Sequence, residues 1–415
     1  MSTQLNLGAA VLLALSAGGC QRVADPEARL PGVDPEIAAQ TASIQAIDNH
    51  AHPVRPAGPG EPPDRDFDAL PVDNLEAQSD PIRLRAGSPE MLEAHRAVAG
   101  AKRTPVQVLD QLGIGVMIAN RVKMGLGLPP DRFRWTPYAD ALMYPLANDS
   151  MIHNSDQQAF FALEEKLLKR YYADLGLSGR PASLDDYLAK VVRATLERQK
   201  QGGAVAEKFE MAYLRPLDIS NPSKAQAEAA WAGRGDYKAL QDYIFRFIAA
   251  ECGRLGMAIH IHSNAGAGSY FNVAGVNPML YEPLLDDPAL RKTNFVFLHG
   301  GWPYTRELTA LLTKPNAYLD FSDLDLILYP SELARTIRSW LEFVPEKILF
   351  ATDAYPYSAD LGWEETGYVA AKTGRTALGL ALTDMLQDGE IDRARAAELA
   401  RMVLRDNART LYKLP

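Results

Sequence analysis

The chain has 415 residues, a formal charge of −9 and a hydrophobic fraction of 47%. That is apolar material for one large core, and an α/β barrel often runs past about 250 residues as one domain, so length alone does not demand two domains. The acidic balance, without a basic run, excludes a nucleic-acid partner, and two cysteines, Cys20 and Cys252, are too few for a disulfide framework.

The first segment, Leu5 to Gly19, holds only apolar, small and uncharged residues. It is too short to span a bilayer and reads as the hydrophobic part of an export signal. It runs into Ala17-Gly18-Gly19-Cys20, small residues before a cysteine as in a bacterial lipoprotein cleavage box, with Ala17 where a leucine is usual. Residues 1–20 are therefore expected to be an export segment. The expected location is periplasmic or membrane-anchored through a lipid on Cys20. Residues 21–42 carry Pro, Asp and Ala with little pattern and read as a tether; 43–415 reads as the folded domain.

From there short apolar runs alternate with longer helical patterns, the mark of βα units and a parallel sheet. Eight strands are expected, at 43–48, 115–119, 139–144, 204–209, 258–262, 295–299, 317–321 and 347–352. Helices are expected at 184–201, 237–255, 304–312, 331–343 and 393–414, with Cys252 a small core residue in the second of these. Eight strands with helical crossovers predict an α/β fold, a closed (β/α)8 TIM barrel, with inserted loops and helices after strands 1 and 3. Loops that follow strands lie on the face that carries chemistry, so both insertions are expected to wall the substrate site.

Five of the seven histidines sit at or near the ends of three apolar runs. His50 and His52 close the first strand; residues two apart share a face, so both imidazoles can meet one axial ion. The fifth strand supplies His260 and His262. His262 lies nearer the C-terminal end and is the better ligand, and His260 lies deeper as a barrel-interior residue. The sixth strand ends at His299, followed by two glycines, where an imidazole can be a ligand or an acid–base group. The eighth ends at Asp353, a carboxylate closing an apolar run and so in need of a cation or donor. Lys208 closes the fourth strand. It can pair with a carboxylate, bind an anionic substrate group or, as a carbamate, bridge two metals; Glu207 beside it points the other way. Arg121 and Arg215 follow strands 2 and 4 and can grip a substrate carboxylate. Trp302, Tyr304 and Tyr355 follow the ligand strands and can line the pocket.

Together His-Ala-His at 50–52, Ile-His-Ser at 261–263, Leu-His-Gly at 298–300, Ala-Thr-Asp at 351–353 and the closing run Asp406 to Tyr412 resemble the amidohydrolase superfamily. Within it they are most similar to the amidohydrolase-related group that includes aminocarboxymuconate semialdehyde decarboxylase. The run Lys208 to Arg215 is similar to a segment in the branch related to the N-terminal part of glutamine synthetase-like fusion proteins; Glu207 departs from that pattern. The resemblance implies one or two divalent metal ions, often zinc, held by His50, His52, His262 and Asp353. Asp353 would also accept the proton of the attacking water, and His299 would be either a second-metal ligand or the acid–base residue. The expected function is metal-dependent hydrolysis of an amide, ester, lactone or similar bond in a small substrate. The alternatives are a metal-dependent decarboxylase on the same barrel and an exported metal-binding protein without turnover.

Overall fold

A computed structural model describes residues 32–57, 59–62, 64, 88–98, 103–266, 271–357 and 361–415. The export segment, Cys20 and the start of the tether lie outside the described residues, as does most of the Gly266–Gly268 stretch. Part of the expected tether is folded. Pro35–Ser43 form a helix capped by the Asp34 carboxylate, which accepts from the Glu36 and Ile37 amides.

Eight strands follow in chain order: β1 Ala46–Ala51, β2 Ile114–Asn120, β3 Phe133–Thr136, β4 Ala206–Phe209, β5 Ala258–His262, β6 Phe295–Leu298, β7 Phe-flanked Ala317–Asp320 and β8 Ile348–Leu349. All ladder pairs are parallel, β1-β2-β3 in one run and β4-β5-β6-β7-β8 in the other. Main-chain hydrogen bonds join the two runs at both seams. Val205 donates to Trp135 at 2.9 Å and Lys208 to Pro137 at 2.8 Å; Asn49 donates to Phe350 at 2.9 Å and His52 to Ala354 at 2.8 Å. The order thus returns to β1, which is compatible with the expected barrel.

Seven strands fall where the apolar runs predict them. The third does not: residues 139–144 were expected as a strand, but Asp140–Met143 form a buried 3-10 turn and β3 lies upstream at Phe133–Thr136. Short apolar runs fit either element, and here the segment packs as a plug against the helix Ser155–Asp174 rather than in the sheet. The insertion after strand 3 is present and carries that helix. The insertion after strand 1 carries Pro89–Val98 and Pro105–Leu112.

Local chemistry explains the element boundaries. Pro105–Leu112 begins with a capping box between Thr104 and Gln107 and ends at Gly113, whose φ of 66° suits the left-handed stop that turns the chain into β2. Tyr237–Leu255 starts at the Asp236 cap and stops at Gly256, with Cys252 fully buried along it. The longest helix, Trp363–Gln387, is buried around much of its circumference by Ala, Gly and Thr. Among the described residues no helix is long and apolar enough to cross a membrane.

Two cores result. The larger lies between the barrel wall and the surrounding helices. The smaller fills the barrel itself with Ile47, Ala206, Ala258, Val296, Leu298 and Leu349, against which Leu411, Tyr412 and Leu414 of the closing segment pack. Alternation along the strands puts Lys208 and His260 on this inner side.

Candidate metal centre

At the C-terminal mouth of the barrel three side-chain atoms converge. His50 Nε2 lies 3.2 Å from His52 Nε2 and 3.2 Å from Asp353 Oδ1, and His52 Nε2 lies 3.4 Å from the same oxygen. All three residues are buried. Atoms held about 2.0–2.1 Å from one zinc-like cation at tetrahedral angles lie about 3.3 Å from each other. Three lone-pair-bearing atoms at that spacing need a proton or a cation among them, and the spacing suits a divalent ion.

Orientation is fixed from behind. His52 Nδ1 lies 3.1 Å from the Tyr138 hydroxyl, which leaves Nε2 as the ligand atom when Nδ1 carries the proton. Asp48, two residues before His50, accepts from the Thr352 hydroxyl at 2.6 Å and the Thr352 amide at 3.0 Å, lacing β1 to the segment that ends in Asp353. Burial pushes the Asp48 carboxyl up to about 8 despite these donors.

His262 and His299 line the same cavity, their rings 4.7 Å apart. His262 Nε2 is buried with no protein partner, and its ring packs 4.5 Å from that of Tyr213. His299 Nδ1 lies 2.9 Å from Ser322 Oγ and 3.7 Å from Asp353 Oδ2; Ser322 Oγ in turn donates to Asp320 at 2.6 Å. Burial and the Lys208 charge hold the His50 imidazole well below its ordinary range, and burial lowers His299 to about 4. Imidazole binds a cation in its neutral form, which these shifts favour. Burial works to raise the Asp353 carboxyl, yet the imidazoles of His50 and His299 hold it well below the usual carboxylate range.

Backbone strain collects here. Among the described residues only four non-glycine positions have positive φ, and three line this cavity: His299 at 61°, Asp323 at 60° and Asp353 at 51°. Such conformations cost roughly 1–3 kcal/mol each and persist where surrounding structure enforces them.

Lys208 lines the cavity as well. Its Nζ lies 3.1 Å from Glu210 Oε1 and 3.5 Å from His50 Nε2, and both residues of the pair are buried. Of the three roles open to Lys208 from sequence, the structure shows the pairing with a carboxylate. Glu207 faces away from the cavity, as strand alternation predicts. His260 sits deeper, its Nε2 2.7 Å from the Tyr412 hydroxyl, which donates to Asn49 Oδ1 at 2.5 Å.

Trp302 and Tyr355 line the cavity; Tyr304 does not. Neither expected anion grip, Arg121 or Arg215, is among the residues that line this cavity. Arg121 is fully buried and donates to the Pro53 and Lys123 carbonyls, bracing the post-β1 chain. Arg215 is tied to Asp242 at 2.8 Å, Gln241 at 3.0 Å and the Asp218 carbonyl at 2.7 Å, beside a separate cavity. A position just after a strand put both on the right face, but sequence does not show that other groups absorb their charge. Sequence reasoning missed Tyr138, Tyr213, Asn264 and Asp323. Asn264 follows the ligand strand in Ile-His-Ser-Asn and was within reach of the strand-end argument; Tyr138 and Asp323 carry no local signal.

Comparison with known proteins finds relatives of the same fold. A family model described as amidohydrolase matches residues 176–414. The fluG protein of Emericella nidulans is 25% identical over 278 residues, 65% of this chain, and the match spans 30% of that protein's length. Among solved structures, a Lactobacillus casei protein classed as a metal-dependent hydrolase superposes with a TM-score of 0.62 at 19% identity, covering 92% of this chain and 98% of that one. Glucuronate isomerase from Caulobacter crescentus gives 0.60 at 13% identity, covering 94% and 97%. Likenesses at this identity establish the shared fold.

Proposed function

The chain belongs to the amidohydrolase family, and from that premise we propose that it is a metal-dependent hydrolase with a single ion held by His50, His52, His262 and Asp353. The observation that carries this reading is the trio of donor atoms from His50, His52 and Asp353, all within 4.8 Å of one another. His262 brings a fourth, buried lone pair to the same cavity. Zinc suits two or three imidazoles and a carboxylate.

A divalent cation in this position supplies Lewis acidity, drawing the pKa of a water from 15.7 toward about 7. Asp353, ionised and next to both imidazoles, takes the proton of the attacking water. The water oxygen bonds to the substrate's carbonyl carbon, the bond to the leaving nitrogen or oxygen breaks, and Asp353 returns the proton to the leaving atom. His299, braced through Ser322 and Asp320, stands 3.7 Å from the second oxygen of the Asp353 carboxylate. Trp302 and Tyr355 form part of the pocket wall.

The Lys208–Glu210 pair supports one ion rather than two. A carbamate on Lys208 would set two anions about 3 Å apart in a buried site, where like charges are costly. Export, with anchoring through a lipid on Cys20, belongs to the same proposal and rests on the run ending in that residue; loss of fatty-acid labelling in Cys20→Ala tests it.

Elemental analysis of the purified protein tests the centre, with about one equivalent of divalent metal expected per chain. A panel of amides, lactones and carboxylated aromatics tests the reaction. Release of an amine or alcohol, abolished by chelation and restored by metal, is expected. Release of carbon dioxide instead would replace hydrolysis with decarboxylation, and activity indifferent to chelation would overturn the metal role.

A further inference from the structure

The wall of the metal cavity opposite Asp353 is built from groups that the hydrolytic steps do not use. Glu210 and Asn264 both line it, 2% and 3% exposed. Glu210 spends Oε1 on Lys208, and its main-chain amide is held by Asp140 Oδ2 at 2.7 Å, so the carboxylate is fixed in place. Its second oxygen, Oε2, has no hydrogen-bond partner. Asn264 donates through Nδ2 to Asp323 Oδ2 at 2.5 Å. A carboxylate only accepts, so the amide cannot be flipped, and Oδ1 must face away from Asp323. That Oδ1 is buried and unpartnered too.

Two buried acceptors without hydrogen-bond partners therefore belong to residues that line a cavity of about 50 Å³. A buried unpaired acceptor costs about 1–3 kcal/mol, and one on a charged group costs more. A space of that size has room for water. A ligand that displaces the water without replacing its hydrogens loses affinity. Among the described residues of the wall the one Lys or Arg, Lys208, is already matched by Glu210.

We propose that Glu210 and Asn264 form a donor-recognition subsite, and that the substrate carries a protonated amine or a primary amide beside the carbonyl that reacts. This rests on the hydrolase reading above and narrows it to nitrogen-bearing substrates of that kind. Donor-free esters and lactones of the same size leave both acceptors unmet and are disfavoured.

Two hydroxamates separate this inference from the metal reading. Glycine hydroxamate and propionohydroxamate offer the same metal-binding head and differ only in an ammonium against a methyl group. Calorimetric titration of the zinc-loaded full chain should show glycine hydroxamate binding at least about tenfold more tightly, as charge-assisted hydrogen bonds allow. In Glu210→Gln, and separately in Asn264→Ala, the ratio of the two affinities should fall toward one. The ratio is insensitive to any shared change in metal loading, and the second variant stands if the first does not fold. Equal binding of the two probes to the wild-type protein, or an undiminished ratio in a folded variant, would overturn the subsite. Failure of both probes to bind the zinc-loaded protein would instead overturn the metal centre.

Discussion

Replacing Tyr138 with Phe removes one oxygen and leaves the rest of a buried, 1% exposed side chain in place. The lost hydroxyl is the partner of His52 Nδ1 at 3.1 Å. The Tyr138 carbonyl still accepts from the Tyr171 hydroxyl at 2.6 Å, so the local backbone keeps its anchor. With an ion bound, His52 must present the Nε2 lone pair and carry its proton on Nδ1, where it meets no acceptor in the variant. A buried N–H left unmet costs about 1–3 kcal/mol. Without the ion the ring escapes this cost by moving the proton to Nε2, 3.4 Å from the Asp353 carboxylate. The penalty therefore falls on the metal-loaded form alone. Metal affinity should drop about 10- to 100-fold, the usual effect of losing a partner behind a ligating imidazole, or about 1.4–2.7 kcal/mol. Competition titration against a chromophoric zinc chelator measures it. Thermal unfolding of the metal-free protein should change much less. An affinity within twofold of wild type would show that His52 does not bind through Nε2, and the proposed donor set would fall with it.

Three other outcomes follow from the same geometry. Asp353→Asn should cut kcat by about 10²–10⁴ at saturating metal, the range for losing a positioned proton acceptor; parallel metal analysis separates this from a lost ligand. Asp140 is raised from 3.8 to about 8, first by burial and then by Glu210, so the folded state keeps a proton that the unfolded chain releases. Its stabilising contribution is full below about pH 4 and lost as the pH rises through about 8. Asp140→Asn should therefore gain on the wild type in urea-unfolding free energy across that window, and a constant difference would contradict the assignment. Asp242→Ala leaves Arg215 as a buried cation, its side chain 5% exposed and its only carboxylate partner at that distance gone; unfolding free energy should fall by about 3–5 kcal/mol.

The barrel was legible where burial on both faces writes itself as a solid apolar run. Phe295–Leu298 and Ala258–His262 read as strands without help from elsewhere. Phe133–Thr136 did not, because its two middle residues are only half-buried and the nearby apolar run at 139–144 looks more strand-like than it is. Trp363–Gln387 was missed for the opposite reason. A helix buried nearly all round has no polar face to give it a period. In the site, residues at strand ends could be named from position alone. Partners supplied from distant loops could not: Tyr138 reaches His52 across 86 residues and Asp323 reaches Asn264 across 59. Arg215 likewise meets Asp242 from a later helix, a pairing that its own position does not show.

The seam between the first and last strands has a consequence for biosynthesis. His52 and Asp353 donate their main-chain amides across it, to Ala354 and His50, each just past or at a ligand position. The earliest and latest barrel segments thus meet at the ion's seat, 303 positions apart for His50 and Asp353 (353 − 50). During synthesis the histidine pair emerges long before the carboxylate that completes the trio. Metal capture is accordingly a late event, and an ion added to a nascent chain released before Asp353 should be held no better than by two loose imidazoles.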